Sequence, residues 1–218
     1  MRLRDLERAL SAIPPHPAPR LDLEQYATPA HLAAPLLHEA LALGDVAGKR
    51  VADLGCGTGV FAVGAALLGA ARVLGVDVDG AALAVARQAG ARAGVEVEWL
   101  EADVSSWRGR VDTVLMNPPF GAQQRGADRA FLDAAFASAP VVYSLHNAQT
   151  LAFVDEYAKE AGFARTHAWR LLFPLRHQYR HQERAVREIE VVAVRLTESL
   201  QSRTPATEYA APDRAGGV

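Results

Sequence analysis

The spacing of hydrophobic residues changes along the chain, and the changes mark its elements. Near the N-terminus, aliphatic residues recur at helical spacing among charged ones: Leu3, Leu6, Leu10 and Ile13. This pattern predicts a short amphipathic helix, which the proline-rich stretch 14–19 ends as an extended connector. Thr28 and Pro29 match a helix N-cap and a first-turn proline, so a second helix is expected from there to about Leu43.

From Arg50 onward, short apolar runs alternate with longer helical patterns. The runs predict strands at 51–54, 72–76, 95–100, 111–116, 141–145, 164–173 and 188–196. Helices are expected between them at 60–68, 80–93, 127–137 and 150–161. Such alternation is typical of an α/β fold, with a mostly parallel sheet of seven strands and helices on both faces.

The predicted organisation has three parts within 218 residues. Residues 1–47 form an N-terminal helical segment, and residues 48–197 form one α/β core, for which the length is sufficient. After Thr197 the composition turns polar and small, so residues 198–218 are predicted to be a disordered tail.

The charge balance limits contact with nucleic acid to a local patch. The formal net charge is −2, so the field of the whole molecule does not attract phosphate. One local basic region exists, formed by Arg165, Arg170, Arg176, Arg180, Arg184 and Arg187 with His177 and His181. This region either binds RNA phosphates or is a solvated loop, and the sequence does not distinguish between these two interpretations.

Cysteine content and hydropathy exclude other classes. Cys56 is the single cysteine, which excludes an internal disulfide and a multi-cysteine zinc site, and no metal is expected. No signal peptide or membrane-spanning stretch is recognised, so a cytoplasmic location without membrane contact is predicted.

The most informative stretch is Asn117-Pro118-Pro119-Phe120, directly after the apolar run 111–116. Open α/β sheets bind ligands at the carboxyl ends of their strands, where this tetrapeptide is expected. The prolines fix φ and remove two backbone donors. The remaining acceptors are the Asn117 side-chain oxygen and the Pro118 carbonyl, beside the flat ring of Phe120. Such a site suits a planar group with an exocyclic amine.

A glycine loop follows the first predicted strand, in the order Asp53, Leu54, Gly55, Cys56, Gly57, Thr58 and Gly59. Glycines permit a tight turn and a close backbone approach to a ligand. Asp77 ends the second strand, where a carboxylate can accept both ribose hydroxyls. Asp103 follows the third, where it can accept an adenine amino group. Together these groups indicate an adenosine site.

Two alternatives to the adenosine site are possible on these residues. Taken singly, Asp77 and Asp103 could also be helix caps or turn residues, but their combination with the glycine loop and Asn117 favours the adenosine site. A nicotinamide dinucleotide is another candidate ligand, but the last glycine does not follow the G-x-G-x-x-G spacing. A hydride-transfer enzyme also has no evident use for Asn-Pro-Pro-Phe.

With these residues in place, the chain resembles a class I S-adenosylmethionine-dependent methyltransferase with a Rossmann-like fold. More narrowly, it resembles the archaeal and eukaryotic enzymes that methylate an adenine N6 in small-subunit ribosomal RNA. The narrower resemblance rests on two stretches, Glu24-Gln25-Tyr26 and Tyr143-Ser144-Leu145-His146. It extends over about residues 23–191.

The resemblance implies a role for each candidate site residue. The catalytic residues are Asn117, Pro118, Pro119 and Phe120. Segment 1–47 covers the cofactor with Gln25 and Thr28. The other cofactor-binding residues are Asp53, Gly55, Gly57, Thr58, Gly59, Val60, Asp77, Val78, Asp103 and Val104. Among these, Gly55, Thr58 and Val60 line the methionine end, Asp77 the ribose, and Asp103 with Val104 the adenine.

The resemblance also implies partners, namely RNA and a small zinc-binding activator protein docked by strand addition. The leading hypothesis is methylation of adenine N6 in ribosomal RNA. Two others stay open: a protein glutamine or DNA amino methyltransferase, and a non-catalytic cofactor-binding module. Phe at 120 and the lack of an extra recognition domain weigh against the first of these. The intact Asn117 weighs against the second. His146 is interpreted as a structural hydrogen-bonder rather than a pocket residue.

Overall fold

The computed structural model describes residues 1–20, 24–120, 126–176 and 186–199. Within these ranges, seven strands form one sheet. They are β1 (Arg50–Leu54), β2 (Arg72–Asp77), β3 (Glu98–Glu101), β4 (Thr113–Met116), β5 (Val141–Asn147), β6 (Phe163–Arg176) and β7 (Val186–Glu198). The spatial order is β3-β2-β1-β4-β5-β7-β6. Strands β1 to β5 are parallel, whereas β7 runs antiparallel to both of its neighbours.

Six α-helices flank the sheet in the described part of the chain. They are α1 (Leu3–Ser11), α2 (Ala30–Ala42), α3 (Val60–Leu67), α4 (Gly80–Ala93), α5 (Ala127–Ser138) and α6 (Leu151–Glu160). The strand order reverses direction at β1, between β2 and β4. Ligands of open α/β sheets bind at such a switch point, beyond the carboxyl ends of the strands.

Two hydrophobic clusters cover the two faces of the sheet, because alternate residues of a strand point in opposite directions. Leu115 of β4 packs with α1 to α4, in a cluster that includes Leu37 and Phe61. Met116, the next residue, packs with α5 and α6, in a cluster that includes Leu132 and Val154. All four residues of β4 are buried, as expected for a central strand.

The N-terminal segment is part of the first of these clusters. Leu6 and Leu10 of α1 are almost fully buried. The helices approach closely at Gly64 of α3, where a Cβ atom would collide with Leu37 and lie 3.5 Å from Leu10. The small-residue character of α3 therefore determines how closely α1 and α2 pack on the core.

A buried polar cluster ties the end of α2 to the distant strands β5 and β7. The Asp45 carboxylate accepts from Arg195 Nε at 2.7 Å and from the Tyr143 hydroxyl at 2.6 Å. The Asp45 carbonyl accepts from the Thr113 hydroxyl at 2.7 Å. Burial and the neighbouring Asp45 raise the pKa of Tyr143, so the phenol stays protonated as a donor.

The fold class predicted from sequence is confirmed: a mostly parallel sheet of seven strands lies between helices. Several boundaries differ. Strand β3 begins at Glu98 rather than at residue 95, and β6 and β7 extend further than predicted. The N-cap prediction for Thr28 is wrong, because Pro29 occupies that position without a side-chain cap. Strand β7 includes Glu198, and residues 200–218 of the predicted tail lie outside the described residues.

Candidate active site

The loop between β1 and α3 is held open by three left-handed glycines. Gly55, Gly57 and Gly59 have φ of +68°, +52° and +89°, a region that side-chain-bearing residues rarely adopt. A Cβ atom on Gly55 would strike the ring of Phe131, and one on Gly59 the ring of Trp99. A Cβ atom on Gly57 would meet no described atom within 4 Å. Gly57 therefore leaves a free backbone surface that a ligand can approach.

Asp77 at the end of β2 supports this loop. Its Oδ2 atom accepts from the Gly57 N–H at 2.7 Å, and its Oδ1 atom accepts from the Asp79 N–H at 2.9 Å. Burial raises the pKa of Asp77, and the two N–H donors oppose the rise. A carboxylate oxygen can accept two hydrogen bonds, and each Asp77 oxygen accepts one of those described here, so Asp77 retains capacity for ribose hydroxyls.

Three other residues that were predicted to bind the cofactor are buried at or near the glycine loop. Asp53 is only 1% exposed, and its carboxyl accepts from the Ala62 N–H in the first turn of α3. Burial raises the pKa of Asp53 to about 8. Thr58 and Val60 are also buried. The structure thus places Asp53 as a support for α3 rather than on an accessible surface.

Beyond β2 and β3, the residues predicted for adenine take different positions. Asp103 Oδ1 accepts from the Ser105 N–H at 2.8 Å and caps the 3-10 turn Val104–Ser106. Hydrogen bonding from Ser105 lowers the pKa of Asp103. Val104 is buried, whereas Val78 is 53% exposed. Val78 therefore offers an apolar surface to a flat ring, with the Asp103 carboxylate on the neighbouring strand end.

The N-terminal segment is anchored beside Asp77. Gln25 Nε2 donates to Asp79 Oδ2 at 2.8 Å, and His16 Nε2 lies 3.1 Å from the same oxygen. Hydrogen bonding from Gln25 is the largest cause that lowers the pKa of Asp79. His16 was not among the predicted site residues, because nothing in its local sequence indicates a partner 63 residues away.

Asn117 lies at the end of β4, directly across from the N-terminal segment. Its Nδ2 atom donates to Thr28 Oγ1 at 3.0 Å. Its Oδ1 atom is buried and accepts no hydrogen bond from any described residue. A buried acceptor without a donor is costly, so the amide oxygen is suited to a donor on a substrate.

Other Asp and Asn side chains near the carboxyl ends of the strands show why the Asn117 oxygen is free. Four Asp or Asn side chains each accept from the backbone N–H two residues ahead, namely Asp77, Asp79, Asp103 and Asn147. This local contact is the common behaviour of such residues. Asn117 has Pro119 two residues ahead, which carries no N–H. The sequence Asn-Pro-Pro therefore prevents the local bond that would occupy the amide.

The fourth residue of the motif has an aromatic support. The half-buried ring of Phe120 meets the fully buried ring of Phe173 edge to face, with centroids 5.8 Å apart and planes at 87°. Phe173 of β6 was predicted as a strand residue and not as a site residue. Its contact limits the tilt of the Phe120 ring at the mouth of the site.

Known proteins that are similar to this chain act in agreement with this geometry. The model of the methyltransferase small domain family matches residues 31–155. The chain is 36% identical over 202 residues to the rRNA N(6)-adenosine-methyltransferase Mettl5 of Drosophila melanogaster, with 88% of this chain and 94% of that protein covered.

The chain belongs to the methyltransferase small domain family. The methyltransferase also matches the crystal structure of a provisionally assigned RNA methyltransferase from Pyrococcus horikoshii. The TM-score is 0.85 and the identity 39%, with 91% of this chain and 99% of that chain covered. Magnesium protoporphyrin IX methyltransferase from Synechocystis, solved with bound S-adenosylmethionine, shares the fold alone at 17% identity. It has a TM-score of 0.63, over 78% of this chain and 79% of that one.

These matches confirm the resemblance drawn from the sequence, and the protein is an S-adenosylmethionine-dependent methyltransferase. The residues present fit that cofactor. The open surface of Gly57 and the Asp77 carboxylate are suited to a nucleoside, and the loop leads toward the unpaired Asn117 oxygen at the neighbouring strand end.

Two arginines of the basic region, which the sequence left as either an RNA contact or a solvated loop, are paired with acidic side chains in the methyltransferase. Arg165 forms a bidentate ion pair with Asp155, and Arg170 forms an ion pair with Glu190. The other members either lie outside the described residues or have no described side chain. In the described ranges, no group of three or more His, Cys, Asp or Glu side chains could hold a metal ion. No described helix is both long and apolar enough to span a bilayer.

His146 near the end of β5 lies on the opposite face of the sheet from Asn117. It is 2% exposed, and its Nε2 atom lies 2.7 Å from the Ser144 hydroxyl. Burial lowers the pKa of His146 to about 4, so the ring is neutral at physiological pH. This geometry favours the structural interpretation made from the sequence.

Proposed function

We propose that this methyltransferase transfers a methyl group to the N6 amine of an adenine in ribosomal RNA. The observation that carries the proposal is the buried Asn117 oxygen, which no described residue occupies. An exocyclic amine supplies the missing donor. The named function of the Drosophila relative supports adenine and ribosomal RNA among the substrates with such an amine.

Adenine N6 is a weak nucleophile because its lone pair is delocalised into the ring. The Asn117 oxygen and the Pro118 carbonyl are two acceptors for the two N6 hydrogens. Hydrogen bonds to both favour the pyramidal nitrogen of the transition state, in which the lone pair is free to attack. Fixed acceptors of this kind act by electrostatic preorganisation and orientation.

S-adenosylmethionine supplies a methyl group already activated on a sulfonium, so no base is needed before attack. An N–CH3 bond forms as the S–CH3 bond breaks, and the methylated ammonium then releases one proton to water. The chain's own contribution is to orient the amine in line with the methyl group. Asn117, Pro118 and Pro119 do so without a titratable side chain.

Phe120 is proposed as the stacking surface for the adenine. A base must leave its stack to reach a strand-end site, and single-stranded RNA makes this easiest. Stacking on an aromatic side chain contributes about 1–3 kcal/mol per base. The edge-to-face contact with Phe173 supports this role, because it holds the Phe120 ring in place before the base arrives.

The test is to incubate the protein with labelled S-adenosylmethionine and separate RNA, DNA and protein fractions. After digestion, labelled N6-methyladenosine from small-subunit ribosomal RNA is the expected product. Labelled methylglutamine or methylated DNA would instead favour the second candidate, because a glutamine amide and a DNA adenine present the same planar amine.

Asn117→Ala is the matched variant for this assay. It should abolish transfer while leaving S-adenosylmethionine binding largely intact, because it removes the amine acceptor and, besides that, only the hydrogen bond from Nδ2 to Thr28. Full activity in Asn117→Ala would contradict the proposed role of the amide, and it would reopen the third candidate, a module that binds cofactor without catalysing transfer.

We also propose docking of a small zinc-binding activator protein by strand addition to a sheet edge. The two edges are β3 and β6, and each carries an exposed leucine, Leu100 at 41% and Leu172 at 59%. Leu100→Asp and Leu172→Asp are the discriminating pair in a co-purification assay, with Leu43→Asp as the surface control. Binding that survives both edge variants would contradict the docking mode. The cytoplasmic location stays a prediction.

A further inference from the structure

Thr28 contacts the catalytic amide, although the resemblance implies a contact with the cofactor. Its Oγ1 atom accepts the hydrogen bond from Asn117 Nδ2 at 3.0 Å, across 89 residues of sequence. The residue is 9% exposed, so the bond is shielded from water. Thr28 immediately precedes Pro29 and α2, which fix its position over β4.

The two ends of an asparagine amide are chemically different, and a half-turn of the amide exchanges them. With nitrogen toward Thr28, the oxygen accepts a hydrogen from the substrate amine. With the amide reversed, its N–H2 group would face the N–H2 group of the substrate, and two donors would oppose each other. Catalysis on an amine therefore requires one orientation of Asn117.

The local backbone does not select that orientation. Pro119 has no N–H to hold the amide oxygen, in contrast to the residues two positions after Asp77, Asp103 and Asn147. Among the described residues, the hydrogen bond that defines the amide is the one to Thr28. A residue of the N-terminal segment thus holds the nitrogen of the Asn117 amide and leaves its oxygen for the substrate.

We propose that Thr28 is a positioning residue: its hydroxyl accepts from Asn117 Nδ2 and holds that side chain in place, so that the amide oxygen is available to the substrate amine. The proposal rests on the proposed function for the identity of that substrate. It assigns Thr28 to the chemistry of the amine rather than to the affinity for S-adenosylmethionine. Gln25 and His16 of the same N-terminal segment contact Asp79, beside the predicted ribose carboxylate Asp77. The N-terminal segment therefore contacts both the predicted cofactor site and the catalytic amide.

Two substitutions separate this role from cofactor binding. Thr28→Val keeps the shape and removes the hydroxyl, whereas Thr28→Ser keeps the hydroxyl. We expect Thr28→Val to lower kcat by about 100-fold, the scale of a misplaced reacting group, with KM and Kd for S-adenosylmethionine within about twofold. Thr28→Ser should restore most of kcat. Equal melting temperatures of the two variants would show that the loss does not come from unfolding.

A second measurement is independent of turnover. The side-chain amide of Asn117 gives a pair of 15N–1H resonances, identified by their loss in Asn117→Asp. Without substrate, these resonances should move in Thr28→Val and stay in place in Thr28→Ser. Unchanged resonances in Thr28→Val, or a weaker Kd for S-adenosylmethionine with kcat retained, would overturn the proposal.

The two readouts also separate this proposal from the proposed function. A labelled product other than N6-methyladenosine in RNA overturns the substrate assignment and leaves the resonance test of the amide standing. If the Asn117 amide resonances are unchanged in Thr28→Val and the product is N6-methyladenosine, the positioning role alone is overturned.

Discussion

His16 Nε2 lies 3.1 Å from Asp79 Oδ2, and both side chains are largely shielded, at 8% and 14% exposure. The contact joins the proline-rich connector to the start of α4, beside Asp77. Because Gln25 donates to the same oxygen, His16 and Gln25 of the N-terminal segment are both held by a single carboxylate.

His16→Ala should loosen the N-terminal segment. Loss of one net hydrogen bond is worth about 1 kcal/mol, which corresponds to roughly fivefold faster exchange of the backbone amides of residues 24–28. Hydrogen–deuterium exchange with mass spectrometry measures this rate. His31→Ala, at an exposed position of α2, is the control and should leave exchange unchanged. Equal exchange in both variants would show that His16 does not hold the segment.

Pro119→Ala should impair catalysis by adding a backbone N–H. The new donor lies two residues after Asn117 and can take the amide oxygen, as Ser105 N–H does with Asp103. Competition from one hydrogen bond lowers kcat by roughly 10-fold. Pro118→Ala is the matched control, because its N–H lies one residue after Asn117 and is not placed for this bond. A larger loss in Pro118→Ala, measured at saturating substrate, would refute the explanation.

Acidification should destabilise the protein through His146. Its pKa is about 4 when folded and 6.5 ordinarily, so the unfolded chain takes up a proton first as the pH falls. Stability is therefore present above pH 6.5 and declines toward pH 4, by about 2 kcal/mol between pH 7 and pH 5. Urea denaturation of His146→Asn should show a correspondingly smaller decline, and the exposed-site control His31→Asn should match the native protein. An unchanged decline in His146→Asn would rule out this proton.

Arg195→Met should destabilise the fold strongly, because it leaves the Asp45 carboxylate buried without its cation. Breaking one side of a buried pair costs about 3–5 kcal/mol. The exposed pair of Arg50 and Asp112 offers the control, since Arg50→Met should change the free energy of unfolding by less than about 1 kcal/mol. Urea denaturation compares the two, and equal losses would mean that burial of the Asp45 pair contributes nothing.

The topology was predictable from sequence because the apolar runs of β1, β2, β4 and β5 are buried on both faces. Strand β3 was less well defined. Val95 and Val97 look like strand residues, but they are half-exposed and precede the pairing with β2. An edge strand has a neighbour on one side only, so periodicity marks its start poorly.

The candidate site was predictable where the chemistry is local, as in the glycine loop and Asn-Pro-Pro-Phe. It was not predictable where contacts span the chain. Thr28 has a local N-cap signature, yet its hydroxyl bonds Asn117. Arg165 and Arg170 read as free charges along the chain, yet Asp155 and Glu190 pair with them. Partners supplied by other elements leave no periodic signal in the sequence.

The position of β7 has a consequence for the order in which the chain becomes active during synthesis. Among the described residues, strand β6 pairs only with β7, and Arg195 of β7 is the cation for Asp45 at the end of α2. Phe173, which braces Phe120, belongs to β6. A ribosome-bound chain lacking its last described strand therefore has an unpaired edge, an uncompensated carboxylate and an unsupported stacking ring. The sheet and the support of the stacking ring are therefore completed only after β7 has left the ribosome.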